Sequence, residues 1–416
     1  MEQPGWYLGI DWGNTTHAYC LLDAAGTRVA HGTIPHTGAG LAALLTLLRQ
    51  QTGEALDRVH AALERPHGPI VAALCAAGVD VAHINPKQLA RFRERATAAG
   101  AKDDARDAYT AASARRTDPA VFHPIRLPDA ALVTLRELTQ IERELAASRE
   151  HQTQRLRTLL QDTQPVLLTL CPAADEPWLW ALCALAPTPA AGAALKPHRV
   201  ATLLRAHRIR RLTADTVVAA LRAPALPLAP GVAAAQALHL GYLVPHLHLL
   251  QAQYAACTKA LAAAVAALDT PGDPPAGPTL VAQLDSLPGV GLRVESTLLA
   301  EAHAQLIPTG EAALRAYSGI APVTDQSGKR RTVVMRRACN RHLRNAMYWW
   351  AQRSIALDAG ARACYRRARE RGHGHARALR TVADRWLRIL FAMLRTGTRY
   401  RPNPLPAAAA VVALAA

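Results

Sequence analysis

The first 115 residues alternate between short runs of strand type and longer runs with helical spacing. Three strand-type runs come first, at Trp6–Trp12, His17–Asp23 and Arg28–Ile34, and Gly-Asn-Thr and Ala-Ala-Gly turns separate them. Apolar residues then recur with helical spacing across Leu41–Gln51. This pattern predicts an antiparallel meander that continues into an α/β domain with helices on the faces of a mixed sheet.

The same alternation continues to the end of this region. Val59–Glu64 is predicted as a strand, Pro69–Ala77 as a helix, Val79–Asn85 as a strand, and one long helix runs from Lys87 to about Arg115. Three strands followed by helix, strand, helix, strand and helix is the order of the ribonuclease H-like (RuvC-like) fold. We place this α/β domain at residues 1–127.

Four acidic residues occupy positions where this fold could gather them. Asp11 and Glu64 end two strands, whereas Asp104 and Asp107 lie three residues apart and share one face of a predicted helix. Carboxylates are the ligands that Mg²⁺ prefers, and a pair of ions can clamp both oxygens of a phosphodiester exchange. Each acid also has a plain explanation, as a strand end or a solvated helix turn, and Asp103 competes for a ligand position.

The rest of the chain is predicted to be mainly helical. Residues 128–278 carry a leucine-rich stripe from Leu132 to Leu145, compatible with a coiled-coil hairpin or dimerisation helix and nearly as well with an ordinary bundle helix. Residues 279–401 form a predicted DNA-handling domain, and 402–416 a disordered tail. The Leu-Pro-Gly-Val-Gly segment includes Gly289 and Gly291, whose N–H groups could hold DNA phosphates, although a plain glycine turn is as compatible.

Positive charge is concentrated near the C-terminus. Residues 329–401 contain 20 Lys and Arg against three acids, an excess equal to the +17 of the whole chain. Such a block is expected to bind nucleic acid through counterion release, although a solvated helical surface is the alternative. The candidate phosphate contacts are Lys329, Arg330, Arg331, Arg336, Arg337, Arg341 and Arg344.

Ser327 lies in a predicted polar loop immediately before this basic block. A hydroxyl beside lysine and arginine offers a nucleophile and positive charge to balance a pentavalent phosphate. Taken alone, a Ser-Gly-Lys segment is more often a turn than a nucleophile. Ser318, between Tyr317 and Gly319, is predicted to be a packed residue at a helix end.

The remaining composition excludes several classes of protein. The seven cysteines form no Cys-x-x-Cys pair, which argues against a zinc ribbon and a secreted disulfide framework. No apolar run is long enough to span a bilayer, and Met1–Trp6 lacks the basic start of a signal peptide. We therefore expect a cytoplasmic protein without a membrane partner.

Several short motifs together resemble the DEDD transposases of bacterial insertion sequences, the IS110 group. The motifs are Gly-Ile-Asp-Trp-Gly-Asn at 9–14, Glu64, Lys-Asp-Asp-Ala-Arg-Asp-Ala at 102–108, Leu-Pro-Gly-Val-Gly at 287–291, Tyr-Ser-Gly-Ile-Ala-Pro at 317–322, Gln-Ser-Gly-Lys at 326–329, and Asn340 with His-Leu-Arg-Asn at 342–345. The segment at 102–108 departs from the usual family pattern, because Asp103 stands where the family normally has a threonine.

The resemblance implies a function and a set of roles. Asp11, Glu64, Asp104 and Asp107 would bind Mg²⁺, and Ser327 would be the nucleophile of a DNA transposase. The resemblance also implies a covalent phosphoserine intermediate, a homo-oligomer (dimer or tetramer), and a structured guide RNA that pairs with DNA. The alternatives are a DNA invertase or metal-dependent junction-cutting nuclease on the same scaffold, and a non-catalytic nucleic-acid-binding protein.

Overall fold

The computed structural model describes residues 5–96, 103–125, 129–269, 277–306, 310–328 and 330–402. The side chains of residues 325, 327, 330 and 331 lie outside this description, as does the predicted tail from residue 403 onwards. The chain divides into two compact units, Met1–Asp129 and Ala130–Ala416, which are treated separately below. The expected combination of an α/β part with an all-α part is confirmed.

The first unit is built on a six-stranded mixed sheet with the order β3-β2-β1-β4-β5-β6. The meander β1–β3 is antiparallel, β4 and β5 run parallel to β1, and β6 returns antiparallel to β5. The ribonuclease H-like order is therefore confirmed. The elements are β1 Trp6–Trp12, β2 Thr16–Leu22, β3 Arg28–Pro35, α1 Gly38–Thr52, β4 Val59–Leu63, α2 Pro69–Ala76, β5 Asp80–His83, α3 Pro86–Ala96, α4 Asp104–Thr117 and β6 His123–Pro124.

The two faces of this sheet are covered by different helices, because successive side chains of a strand point to opposite sides. Leu8 and Ile10 of β1 join the core formed with α1 and α2. The alternate positions face α4, where Ala18 and Cys20 of β2 pack against Ala108 and other small residues of that helix. The small side chains on this second face allow α4 to lie close to the sheet.

The prediction of one long helix from Lys87 to about Arg115 is wrong. The structure has two helices, α3 and α4, and Asp103 stands immediately before α4 with an extended backbone (φ −148°, ψ 131°). The Asp103 side chain accepts a hydrogen bond from the backbone N–H of Ala105, which caps the helix. Because an aspartate cap begins the new helix and no proline marks the break, the sequence pattern did not reveal it.

In the part that the structure describes, the second unit is helical apart from one β-hairpin and the connecting turns. Two long helices, α5 and α11, pack against each other, and short helices between them form one core, whereas the C-terminal helices form another together with parts of α5 and α11. The elements are α5 Ala130–Thr163, α6 Val166–Leu170, α7 Pro177–Leu185, α8 Pro189–Ala193, α9 Pro197–Ala206, α10 Ala214–Leu221, α11 Val232–Leu268, α12 Leu280–Asp285, α13 Leu292–Leu306, α14 Gly310–Tyr317, β7 Val323–Ser327, β8 Arg330–Val334, α15 Arg341–Leu357, α16 Ala359–Glu370 and α17 His375–Thr396.

The leucine stripe predicted along α5 is only partly the buried face of that helix. Leu135 is buried in the C-terminal core, but Ile141 is 43% exposed. Glu142, the next residue, is buried instead, and its carboxylate is paired with Arg293 of α13 at 2.8 Å. Among the described helices, none is long and apolar enough to cross a membrane.

Candidate active site and nucleic-acid interface

Asp11 and Glu64 lie at the same edge of the first sheet. β1 and β4 are parallel neighbours whose register pairs Ile10 with Leu63, so the next residues along the two strands are Asp11 and Glu64. Asp11 is two residues beyond Gly9 and Glu64 two beyond Ala62, and both of these positions face α4. The alternation of β1 therefore directs Asp11 to the α4 side of the carboxyl edge, and Glu64 follows the last residue of β4 at that same edge.

Helix α4 runs antiparallel to β1, which brings its first turn to that same edge. At the far end of the helix, Arg115 binds Asp80, the first residue of β5, with 2.6 Å between Nη2 and Oδ2. Near its start, the helix backbone lies directly on β1, because a Cβ added to Gly9 would come within 1.9 Å of the Ala108 carbonyl oxygen. The acids in the first turn of α4 therefore lie towards the carboxyl ends of β1 and β4.

The two acids of α4 differ in their surroundings. Asp104, the first residue of the helix, is exposed, whereas Asp107 is only 3% exposed. Arg93 of α3 places its Nε atom 2.7 Å from Asp107 Oδ1, but neither atom is aligned for a hydrogen bond to a described residue. A helix N-terminus favours any exposed acid, so only the burial of Asp107 calls for a further explanation.

The four acids are not drawn tightly together. Among the described residues, a different group has three potential metal-ligating side chains whose donor atoms lie within 4.8 Å of one another. This group consists of Cys171, Asp175 and Glu176 in the second unit. Arg211 binds Glu176 through both carboxylate oxygens, at 2.6 and 3.0 Å, and lowers the pKa of that carboxyl. That group is therefore occupied by an arginine.

An arginine that sequence reasoning missed lies directly after Glu64. The guanidinium of Arg65 stacks on the ring of Trp12, 3.9 Å from its centre. Because Trp12 follows Asp11, this cation–π contact joins the two segments that carry the strand-end acids. In the sequence, Trp12 follows Asp11 and Arg65 follows Glu64, but only the register of β1 and β4 reveals that Trp12 and Arg65 are in contact.

The prediction that Ser327 lies in a loop is wrong, because its backbone belongs to a strand. It is the last residue of β7, paired across the hairpin with Arg330 of β8, and Gly328 adopts a positive φ of 57° at the turn. Alternating residues in a five-residue strand are easily mistaken for a polar loop. Ser318 is fully buried at the end of α14, which confirms its assignment as a packed residue.

The predicted phosphate contacts follow the hairpin. Lys329 lies outside the described residues, and Arg330 and Arg331 are described only as backbone of β8. The others lie between β8 and the first turns of α15: Arg337 and Arg341 are exposed, and Arg336 and Arg344 are half-buried. In the described part of residues 329–401, the ion-paired side chains are Arg385 and Arg388, so most of this charge is available to a polyanion.

The two glycines of the Leu-Pro-Gly-Val-Gly segment have different environments. Gly289 has a φ of +83°, and a Cβ there would come within 2.8 Å of the Ser354 backbone nitrogen, so this glycine is needed for packing against α15. The Trp350 indole N–H fixes the same segment by donating to the Pro288 carbonyl at 3.1 Å. Gly291 is exposed and has open space around it.

An exposed aromatic side chain was also missed by sequence reasoning. Trp349 of α15 is 66% exposed, although the neighbouring Trp350 is fully buried. It lies two helical turns after Arg341 and one turn before Arg353, so an aromatic ring and two cations share one side of the helix. The sequence signal that could have identified Trp349 is its spacing of eight residues from Arg341 and four from Arg353 in a predicted helix.

Comparison with known proteins defines the class of enzyme to which this fold belongs. A family model for DEDD transposases of IS110 type, described as transposase, matches residues 8–165, and one described as the transposase IS116/IS110/IS902 family matches residues 281–366. The first match covers the ribonuclease H-like sheet, and the second covers the β-hairpin and the start of the basic helices. The chain is a DNA transposase, an enzyme that cuts and rejoins DNA.

Curated relatives identify the particular family. A candidate transposase, y4uE, of Sinorhizobium fredii is 40% identical over 214 residues, which span 51% of this chain and 60% of that relative. Two Streptomyces coelicolor proteins match almost end to end: the candidate transposase of the IS117 mini-circle is 30% identical over 94% of both chains, and the 43.6 kDa protein of insertion element IS110 is 31% identical over 96% of both. The chain belongs to the IS110 family of transposases.

Proposed function

We propose that this transposase mobilises its insertion sequence by metal-dependent, serine-mediated exchange of DNA strands. The observation that carries the proposal is the carboxyl edge of β1 and β4, where Asp11 and Glu64 each follow a residue of the register pair Ile10–Leu63 and the first turn of α4 lies towards the same edge. This turn supplies Asp104 and Asp107. Acids from two strands and one helix on one face of a sheet are a suitable ligand set for Mg²⁺.

The state of Asp107 supports a role for this edge in binding a cation. Its Oδ1 atom is buried and lacks an aligned hydrogen bond, and the nearest cation is Arg93. A buried carboxylate needs a compensating positive charge, and in this structure Arg93 supplies one at Oδ1 through a single contact. Mg²⁺ bound by Asp11, Glu64, Asp104 and Asp107 would supply positive charge to the phosphate and neutralise the mutual repulsion of these acids.

Ser327 is the proposed nucleophile. Its hydroxyl oxygen would form a bond to phosphorus and lose its proton, while the bond from phosphorus to a DNA oxygen breaks and that oxygen leaves as a hydroxyl. The phosphoserine ester keeps the bond energy, so a DNA hydroxyl can later attack it and release the serine without ATP. Its position beside Arg330 in the hairpin register supports this role, because arginine can balance phosphate charge.

The basic C-terminal segment is the proposed nucleic-acid interface. Its arginines would contact DNA phosphates, and they suit a structured guide RNA equally well. Affinity should fall by orders of magnitude between about 50 and 200 mM salt if several phosphates are contacted. The protein is proposed to act as a homo-oligomer.

The decisive experiment compares Ser327→Ala with Ser318→Ala in the full chain. Each variant is incubated with Mg²⁺, labelled DNA carrying an element end, and a candidate guide RNA transcribed from the non-coding DNA beside the gene. Denaturing electrophoresis should show a slow protein–DNA band, resistant to heat and detergent, with the wild type and with Ser318→Ala. Ser327→Ala should give no band and no cleavage, but it should still bind DNA. Normal cleavage by Ser327→Ala without an adduct would make water the nucleophile and favour the junction-cutting nuclease.

A further inference from the structure

Helix α11 carries almost no charge although one side of it faces solvent. Across Val232–Leu268 the one side chain with a formal charge is Lys259. A helix that is apolar on all sides is normally buried on all sides. Within the second unit, α11 packs on α5 and α7 and also contacts α12 and α13, but several of its side chains remain exposed.

The uncovered side of α11 is an apolar stripe. Leu238 is 67% exposed, Tyr242 80% and Leu249 55%, and exposed Pro245 completes the series. These positions follow steps of four, three and four residues, which is the spacing of a coiled-coil seam. Exposed Ala235, Ala252 and Ala256 extend the same spacing, so the stripe continues along much of the helix.

A cavity of about 800 Å³ opens beside this stripe, between α7, α9 and α11. Its walls are mainly apolar, with Leu185, Leu203 and Val244 among them, and Pro245 belongs both to the stripe and to the cavity. The basic residues of the lining are His198, Arg199 and His248. Leu185 is itself 37% exposed. One surface therefore carries a protruding apolar series and, next to it, an apolar cavity large enough to receive side chains.

The charges of the molecule limit what could cover this surface. A nucleic acid requires cations, and the stripe has none. Two copies of a chain with net charge +17 repel each other, so they can approach best where charged side chains are fewest, and the stripe from Ala235 to Ala256 has none. In a two-fold contact each copy presents the same patch, and a protrusion beside a cavity is the arrangement that can be self-complementary.

We propose that the α11 stripe is the interface with a second copy of this chain, in which Tyr242 and Leu238 of each copy pack into the cavity of the other. The 37-residue helix is about 55 Å long, enough to contribute the roughly 800 Å² per partner that a stable interface needs. This inference deepens the oligomeric part of the proposed function. It does not depend on the metal or on Ser327.

The test is the mass of the full chain in solution, measured by light scattering after gel filtration. The double variant Leu238→Glu with Tyr242→Glu should have half the mass of the wild type, because two-fold pairing would bury four carboxylates in an apolar contact. Ala255→Glu with Ala262→Glu adds the same charge at two exposed positions off the stripe, and this variant should leave the mass unchanged. An oligomer that survives the double substitution, or a monomeric wild type, would overturn the proposal.

A cysteine variant keeps the test independent of any folding defect in the double variant. Tyr242→Cys, treated with a short bis-maleimide, should give a crosslinked dimer in denaturing gels, whereas Ala255→Cys should give only the background of the native cysteines. Equal crosslinking by the two variants would place the interface elsewhere. Retained salt-dependent DNA binding by Tyr242→Cys would show that its result concerns assembly and not the proposed DNA chemistry.

Discussion

The acidic edge of the first unit and the serine hairpin of the second unit are held in place in different ways. Asp11 lies on β1, which has a hydrogen-bonded strand on each side and α4 packed directly on its backbone at Gly9. Ser327 ends a sheet of only two strands, in which Val333 and Val334 are 52% and 48% exposed. Two-stranded hairpins have little stability of their own.

This difference separates what folding alone can build from what a partner must complete. The acids of the first unit are directed to one edge by strand register and by the close approach of a helix, so their positions follow from the fold. The hairpin exposes the apolar residues Val333 and Val334 beside a basic segment, and we expect bound nucleic acid to cover this surface. The predictions below test the two halves of this comparison.

The largest effect is expected from Gly9→Ala. A Cβ at this position would come within 1.9 Å of the Ala108 carbonyl oxygen, so α4 must move away from β1. We expect a loss of at least about 1–3 kcal/mol in the free energy of unfolding, together with a large loss of activity, because the acids of α4 move with the helix. Urea denaturation measures the first effect and strand exchange the second.

Gly38→Ala is the control for this substitution. Gly38 begins α1 and has no atom within 4 Å of an added Cβ, so alanine should be neutral or slightly stabilising there. If Gly9→Ala were as stable and active as Gly38→Ala, the close packing of α4 on β1 would not be what positions the acids.

A smaller effect is expected from Trp349→Ala in the second unit. Its exposed ring can stack on a base, and such stacking contributes about 1–3 kcal/mol per base. Affinity for a fluorescent single-stranded oligonucleotide should therefore fall about fivefold or more. Leu357→Ala removes a side chain that is 59% exposed on the same helix and should leave the affinity unchanged. Equal affinity of both variants in anisotropy titrations would remove Trp349 from the interface.

The smallest effect concerns stability and pH. Glu295 of α13 is buried, and burial, together with nearby Asp285 and Asp269, raises its pKa to about 7. Between its ordinary pKa and about 7, the folded state holds a proton that the unfolded state releases, so the stability due to this group falls as pH rises. Glu295→Gln should therefore have a higher Tm than the wild type at about pH 8 and little advantage at about pH 5. A difference in Tm that does not change with pH would contradict this.

The sequence predicted the sheet well because its strands are bounded by turn residues and their apolar runs are short. It predicted the strand-end acids for the same reason, since Asp11 and Glu64 mark where two runs stop. The contacts of Asp107 with Arg93 and of Trp12 with Arg65 could not be predicted, because they depend on packing between segments distant in the chain. The break before α4 and the strand ending at Ser327 were missed because single capping and turn residues decide them.

Metal binding by the full chain tests the central claim, the acidic edge, most directly. Titration with Mn²⁺, followed by electron paramagnetic resonance of the free ion, should show saturable binding by the wild type and by Asp57→Asn, which removes an exposed acid just before β4. Asp11→Asn should lose this binding with Tm unchanged or raised, because removing one carboxylate relieves repulsion. Asp107→Asn should also lose it, but with a lowered Tm, because that substitution removes the ion pair with Arg93 as well. Undiminished Mn²⁺ binding by both variants would contradict the account.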